Sequence, residues 1–214
     1  MMSFNVREWT RDRDKTSPYY WRVRLDSICR CVRDTDPDII CLQECWPRMA
    51  RAIRRLGYKG HGFHHLILTR RTMRTKGHRW RIFYDWLDVD GTRIVNVHSR
   101  WERKVAEKVI PSVARLCAGR RAVACGDFNV PLTTIEDILL GPYLEYTHLP
   151  SFIHVRSFLK HAPLDTFQNF TKPQSHGEID HFFVNLIKPE TFRIVKDNYG
   201  CQRMSDHYPI IMTY

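Results

Sequence analysis

Short apolar runs alternate with helical stripes along much of this chain. Residues 2–6 (Met-Ser-Phe-Asn-Val) predict a strand. From Trp21, the residues Leu25, Ile28, Cys29 and Val32 recur on one face of a helix that Asp36-Pro37 should end. "DIICLQE" (38–44) predicts a buried strand. A helix over 46–56 would be kept solvated by Arg48, Arg51, Arg54 and Arg55. "FHHLILT" (63–69) predicts another strand, and "IFYDWLDV" with "TRIVNVH" a hairpin turning at Asp90-Gly91. Val105, Val109, Val113 and Leu116 align on a helix over 102–118, kinked at Pro111. "AVACGDFN" (122–129) reads as a strand into a turn, followed by a helix near 133–140. Residues 141–177 show no clear period. Strands over 178–184, 191–196 and 208–213 close the chain. Hairpins mixed with helical crossovers predict sheet layers covered by helices. With no repeat or linker, residues 1–214 are expected to form one domain.

Composition narrows the function. The chain has 214 residues, 43% of them hydrophobic, and a formal charge of +11 from 34 basic and 23 acidic side chains. Such an excess, rich in arginine, favours polyanionic partners: nucleic acid, a membrane surface or phosphorylated small molecules. Seven cysteines form no disulfide framework; Cys41 and Cys125 read as buried thiols, and Cys29-Arg30-Cys31 lacks redox or zinc spacing. The N-terminus has no apolar signal region, and no run reaches the roughly 18 apolar residues of a membrane span. An intracellular, cytoplasmic monomer that does not engage membranes is expected.

The candidate chemistry sits where apolar strands meet polar residues. Asn5 follows Ser-Phe, Glu44 follows "IICLQ" and His98 follows "RIVNV". Asp127 and Asn129 follow "AVACG", Asp180 opens "IDHFFV", and Asp206-His207 precede "YPIIM". Singly, each is an ordinary turn or solvated strand end. Gathered at one edge of a sandwich, they would form an acidic pocket within a basic protein. Such a pocket suits a divalent cation and a phosphate substrate. In "HGEIDHFFVN" (176–185), Glu178 and Asp180 are two residues apart, so on one strand they would share a face.

The segments "SFNVR", "DPDIICLQE", "VNVHS", "GDFN", "GEIDHFFV" and "SDHYP", in this order from residue 3 to 209, resemble the motifs of the endonuclease/exonuclease/phosphatase superfamily, the DNase I-like fold. "SPYYWRVRLDSI" and "TFQNF" are similar to its small bacterial-type members. The resemblance implies a four-layer α/β sandwich with two mainly antiparallel sheets and helices outside. It also implies a phosphoesterase using Mg²⁺, with Mn²⁺ as the alternative. By carry-over, Glu44 is the principal metal ligand, with Asn5 beside it and Asp206 as a further ligand. Asp127 and Asn129 would position or activate the attacking water. His207 would face the phosphate, oriented by Asp180, and His98 would be a second phosphate-facing histidine. Glu178 would only be solvated.

One segment departs from the pattern. The family's middle region usually carries a Glu that supports the metal site or the second histidine. Here "GHGFHHLILTRR" has no carboxylate, and His64 or His65 stands there instead. Either His98 lacks a carboxylate partner, or Asp85 or Asp88 substitutes. Residues 70–81 carry Arg70, Arg71, Arg74, Lys76, Arg79 and Arg81 around Trp80, a basic loop able to track a phosphate backbone and stack on a base. The leading expectation is a nuclease acting on DNA or RNA. A phosphomonoesterase, or a phosphodiesterase of small molecules or lipids, is the same-fold rival. A non-catalytic nucleic-acid-binding module is the alternative of another class.

Overall fold

The computed structural model describes every residue except 9, 11, 80–82, 141–151, 160–164, 169 and 171–175. The chain opens with β1 (Met2–Asn5), α1 (Trp21–Thr35), β2 (Ile39–Gln43) and α2 (Pro47–Arg54). β3 (Lys59–His61), β4 (Leu66–Thr69), β5 (Met73–Arg79), β6 (Tyr84–Val89) and β7 (Thr92–His98) follow. Next come α3 (Arg103–Cys117), β8 (Ala122–Asp127), α4 (Leu132–Leu140), β9 (Ile153–His154) and α5 (Val155–Leu159). The final strands are β10 (Phe167–Gln168), β11 (His176–Gly177), β12 (Asp180–Asn185), β13 (Thr191–Ile194) and β14 (Ile210–Thr213).

Two six-stranded sheets form, ordered β13-β14-β1-β2-β4-β3 and β5-β6-β7-β8-β12-β9. The pairing pattern is the same in both. A central parallel pair, β1–β2 or β7–β8, is flanked by antiparallel pairs. Each parallel pair needs a crossover, supplied by α1 and α3. α1 and α2 cover one sheet through Ile28, Val32, Met49 and Ile53, and α3 and α4 cover the other through Val109, Val113, Ile135 and Ile138. Between the sheets lies a third cluster that includes Cys41, Ile67, Ile94, Cys125, Phe182 and Ile210. This is the four-layer α/β sandwich, and its central strands β1, β2, β8 and β12 are buried along their whole length because each face is covered. All seven cysteines are free, with Cys41 and Cys125 in the inter-sheet core.

Local sequence explains most boundaries. Asp36 takes a left-handed φ of 39° and donates its backbone N–H to Val32 O, closing α1 just before Pro37. Asp90 and Gly91, with φ of 47° and 77°, make the tight β6–β7 hairpin. α3 runs unbroken through Pro111. The expected basic loop differs: from Met73 to Arg79 it is the edge strand β5, paired with β6. Basic side chains suit an edge strand because they discourage further pairing. β12 opens at Asp180, not at residue 178, so the alternation that would put Glu178 on Asp180's face does not apply.

One close approach fixes the centre of the second sheet. Gly126 has a φ of 141°, and a Cβ there would lie 1.9 Å from Val97 O. Only glycine lets the backbones of β7 and β8 meet this closely. The next residues along, His98 and Asp127, are register partners.

Candidate active site

The parallel strands β1, β2, β7 and β8 all end on one side of the sandwich, and the antiparallel β4, β12 and β14 begin there. Polar residues at these ends therefore converge. A cleft of about 830 Å³ opens over them, lined by Arg7, Glu44, His65, His98, Asp127 and His207 among others. Four of the residues around it lie in the left-handed region: Arg7, Glu44 and Asn129, each with φ of 55°, and Phe83 with φ of 57°. For residues with a Cβ this costs roughly 1–2 kcal/mol each. Backbone strain of this kind clusters at ligand clamps and active sites, which makes the cleft the candidate.

Half-buried His98 and buried Asp127 and Asp180 form a row, neighbours in register across β7, β8 and β12. Two carboxylates opposed on adjacent strands repel. His207 lies between them: its Nδ1 is 2.8 Å from Asp180 Oδ2 and its Nε2 is 3.6 Å from Asp127 Oδ2. Burial disfavours the imidazolium, but Asp180 and Asp127 outweigh it and raise the His207 pKa to about 10. Burial, with Asp180 as the adjacent like charge, pushes Asp127 up to about 7 against the opposing effect of His207. Asp180 is held from behind by Thr166, whose Oγ1 accepts the Asp180 N–H at 3.0 Å.

Glu44 faces this row from the first sheet. Its Oε2 accepts the Glu8 N–H at 2.8 Å. The Asn5 amide nitrogen donates to Glu44 Oε1 at 3.2 Å and to Asp127 Oδ2 at 3.0 Å, so Asn5 spans the two acids. The Asn5 oxygen is turned away and accepts the Arg7 N–H at 3.0 Å. Asp206, expected to be a further metal ligand, pairs with the Arg7 guanidinium, which also bonds Asp12 at 3.0 Å. His207 and Arg7 hold the Asp206 carboxyl below its ordinary range despite burial. Asn129 donates its backbone N–H to Asp127 Oδ1 at 2.8 Å and its side chain to Ser99 O at 2.9 Å.

The second histidine has a different setting. His98 Nε2 is 3.7 Å from Glu44 and 3.9 Å from Asp127, while its Nδ1 is 3.3 Å from His65 Nε2. His65 thus stands where a carboxylate was sought. Burial, then the neighbouring His98 and His64, lowers its pKa to about 3, so it remains neutral. Asp88 is bound by Arg93 at 2.7 Å and cannot substitute. Asp85 lies beside the Gly62–His65 turn.

The basic candidates separate by position. Arg70 pairs with Asp36, and Arg71 pairs with Asp38 and Asp90. Asp38 precedes β2 and Glu44 follows it, so at about 3.3 Å per residue the two ends are roughly 20 Å apart. Arg70 and Arg71, expected to bind substrate, therefore lie at the pole opposite the cleft, where acidic partners hold them. Arg74 is exposed near that end of β5. Arg79 ends β5 in the row of Tyr84 and Val97, next to the His98 row. Arg81 and Trp80 lie outside the described residues.

Two cations that hold the site's surroundings together were missed in the sequence. Arg7 closes "SFNVR", and its position just past a strand end was the available signal. Arg24 is fully buried and donates to the backbone oxygens of Val6, Arg7, Tyr19 and Met204 and to Asp12. Its place three residues after Trp21 and four before Ile28, on the apolar stripe of α1, was the clue.

Buried carboxylates, a bridging imidazolium and an open polar cleft define a phosphoesterase-type site on a two-sheet scaffold. The sequence profile of the Endonuclease/Exonuclease/phosphatase family matches residues 2–207. The chain belongs to that family, and its fold is the DNase I-like sandwich. No curated protein matches it in sequence. Solved structures that it resembles include a mannosyl-6-phosphatase from Bacteroides thetaiotaomicron (20% identity, TM-score 0.76, covering 100% of this chain and 98% of that one). TDP2 from D. rerio complexed with single-strand DNA product is similar at 17% identity and TM-score 0.73, covering 98% and 95% of the two chains. The 3′ phosphatase NExo from Neisseria, bound to a product DNA hairpin, shares 14% identity at TM-score 0.72, covering 100% and 98%.

The donor set fits a hard divalent cation. Glu44 and Asp127 present carboxylate oxygens tied to one shared amide, and Asp127, Asp180 and His207 offer ligand atoms within 4.8 Å of one another.

Proposed function

We propose that this protein is a Mg²⁺-dependent phosphodiesterase that hydrolyses nucleic acid by in-line attack of water on phosphorus. The observation that carries the reading is His207 held between Asp180 and Asp127 at the floor of a cleft that Glu44 faces. Glu44 and Asp127 would hold the cation, with Asn5 spacing them. When bound, Mg²⁺ (or Mn²⁺) would neutralise charge on the phosphoryl oxygens. Asp127 and Asn129 orient the attacking water, and Asp127 accepts its proton. Asp180 fixes the ring of His207 and keeps it cationic, so that Nε2–H donates to a phosphoryl oxygen as negative charge grows there. Neutral His65 orients His98, which faces the same phosphate. Arg7 keeps Asp206 paired and places positive charge at the cleft wall.

The walls favour a polymeric substrate. Arg7 and Arg100 are cations along the cleft, and Arg100 stacks over Phe83 at 5.0 Å. Trp101, beside it, is 77% exposed, a platform on which a base can stack. The DNA complexes of similar structures support nucleic acid. A second reading, phosphomonoesterase, is favoured by the likeness to the sugar phosphatase. Cleavage of labelled single- and double-stranded oligonucleotides, measured against sugar phosphates with Mg²⁺, Mn²⁺ or EDTA, tests both. Metal-dependent cleavage of internal phosphodiesters is expected. Turnover of sugar phosphates alone would select the second reading, and full activity in EDTA would remove both.

A further inference from the structure

A second cluster of ligating side chains lies on the opposite face of the catalytic sheet. Side chains alternate along β12, so Phe182 enters the inter-sheet core while Phe183 packs toward α3 and α4. His181 shares the face of Phe183 and is fully buried. His154, on the edge strand β9, is buried beside it, with its Nε2 3.3 Å from His181 Nδ1. A carboxylate oxygen of half-buried Glu178 completes a group whose ligand atoms all lie within 4.8 Å of one another. Phe128 and Phe183 wall the cluster, with ring centroids 5.7 Å from His181 and 5.0 Å from His154.

The tautomer and the spacing are informative. His181 Nε2 stands 3.0 Å from Val130 O. A carbonyl only accepts, so Nε2 carries the proton and Nδ1 turns its lone pair toward His154. A histidine that anchors one ring nitrogen on a backbone carbonyl and offers the other is the usual arrangement of a metal ligand. Zn–N bonds of about 2.0–2.1 Å give a tetrahedral N···N edge of about 3.3–3.4 Å, the separation found here. For an N–H···N hydrogen bond that distance is long. The His65–His98 pair shows the same separation, but His98 turns its other nitrogen toward Glu44, so those three do not converge on one point.

We propose that His154, His181 and Glu178 bind a Zn²⁺-type divalent cation at a structural site behind the active cleft. A rotamer adjustment of Glu178 brings its oxygen into the first coordination shell, and water completes the tetrahedron. The location gives the site a purpose. His181 follows Asp180, Phe128 follows Asp127 and Val130 follows Asn129, so the cation clamps backbone that carries three residues of the cleft floor. Imidazole ligands select Zn²⁺ or Co²⁺ over Mg²⁺.

Co²⁺ is the probe. The full chain, stripped of metal and returned to saturating Mg²⁺, is titrated with Co²⁺ and read by visible absorption. Tetrahedral cobalt absorbs far more strongly than cobalt in an oxygen-rich octahedral site. One equivalent should give the strong band in wild type, Glu44→Gln and His65→Gln, and Zn²⁺ should displace it. His154→Gln and His181→Gln should lose the band, and Glu178→Gln should weaken cobalt affinity by at least about tenfold. If the histidine variants do not fold, Glu178→Gln decides, and an unchanged affinity overturns the site. So does a wild type without the band, or a band that survives in the histidine variants or vanishes in His65→Gln; the pair is then two hydrogen-bonded histidines only.

Discussion

The two ends of the β2–β4 strand pair both carry clustered opposite charges, yet they differ in kind. At one end Arg70, Arg71, Asp36, Asp38 and Asp90 pair in the open, with Arg70 and Asp36 side chains 38% and 67% exposed. Water screens each charge there, and such pairs contribute little. At the other end Glu44, Asp127, Asp180, His98 and His207 are crowded behind Asn5 and Arg7, with Asp127 and Asp180 at 1% and 2% exposure. Burial leaves these charges dependent on one another, and it displaces the pKa values of Asp127 and His207 from their ordinary ranges. A charge cluster visible in sequence becomes a site only when the fold takes it out of water without fully neutralising it.

The contrast can be tested from both ends. The largest effects should come from the buried end. Asp180→Asn and His207→Ala should each lower single-turnover cleavage by about 10²–10⁴-fold with little change in substrate affinity, and the double variant should be far less than additive. Additive losses would mean the pair does not act as a unit. Glu44→Gln should abolish metal-dependent turnover while thermal melts show an intact fold. Arg7→Ala releases Asp206 and the contact with Phe170, 4.5 Å from the guanidinium. Activity should then fall by about 10–100-fold, the scale of one charged hydrogen bond; an unchanged rate would reduce Arg7 to scaffolding.

Next comes pH. The folded pKa of His207 is raised from 6.5 to about 10, so the protonated form is the one the fold prefers. Its contribution is complete below about pH 6.5 and is lost as pH rises through 10. In EDTA, wild-type melting temperature should therefore fall more steeply over this window than that of His207→Gln, and parallel curves would contradict the assignment. The smallest effects belong to the exposed end. Arg70→Ala with Arg71→Ala should shift stability by no more than about 0.5 kcal/mol each and leave the salt dependence of oligonucleotide binding unchanged. Arg100→Ala should flatten that dependence by about one unit of slope. The reverse ranking would return the substrate path to the far pole.

Much of the fold was legible because the central strands are covered on both faces and read as plain apolar runs. "IICLQ" and "AVACGD" identify themselves, and the polar residues ending them were found for the same reason. The basic stretch misled because edge-strand lysines and arginines have the composition of a nucleic-acid loop; only pairing with β6 separates the two. Arg24 drew no assignment because a periodicity argument treats arginine as outward-facing, whereas five acceptors await it inside. Glu178 was assigned by a strand period that starts two residues later. Its proximity to His154, 24 positions earlier in the chain, could not be seen without β9 lying beside β12.

Gly126 has no side chain to contribute, yet it allows β7 and β8 to touch where His98 and Asp127 stand. In a saturation mutagenesis screen it should behave as an active-site position. With a Cβ placed 1.9 Å from Val97 O and a φ of 141°, every substitution must separate the two strands. Intolerance at 126 would then report the spacing of its neighbours, not any chemistry of its own. A library meant to alter substrate choice should hold this position fixed and vary the residues at Arg100, Trp101 and Phe83 instead.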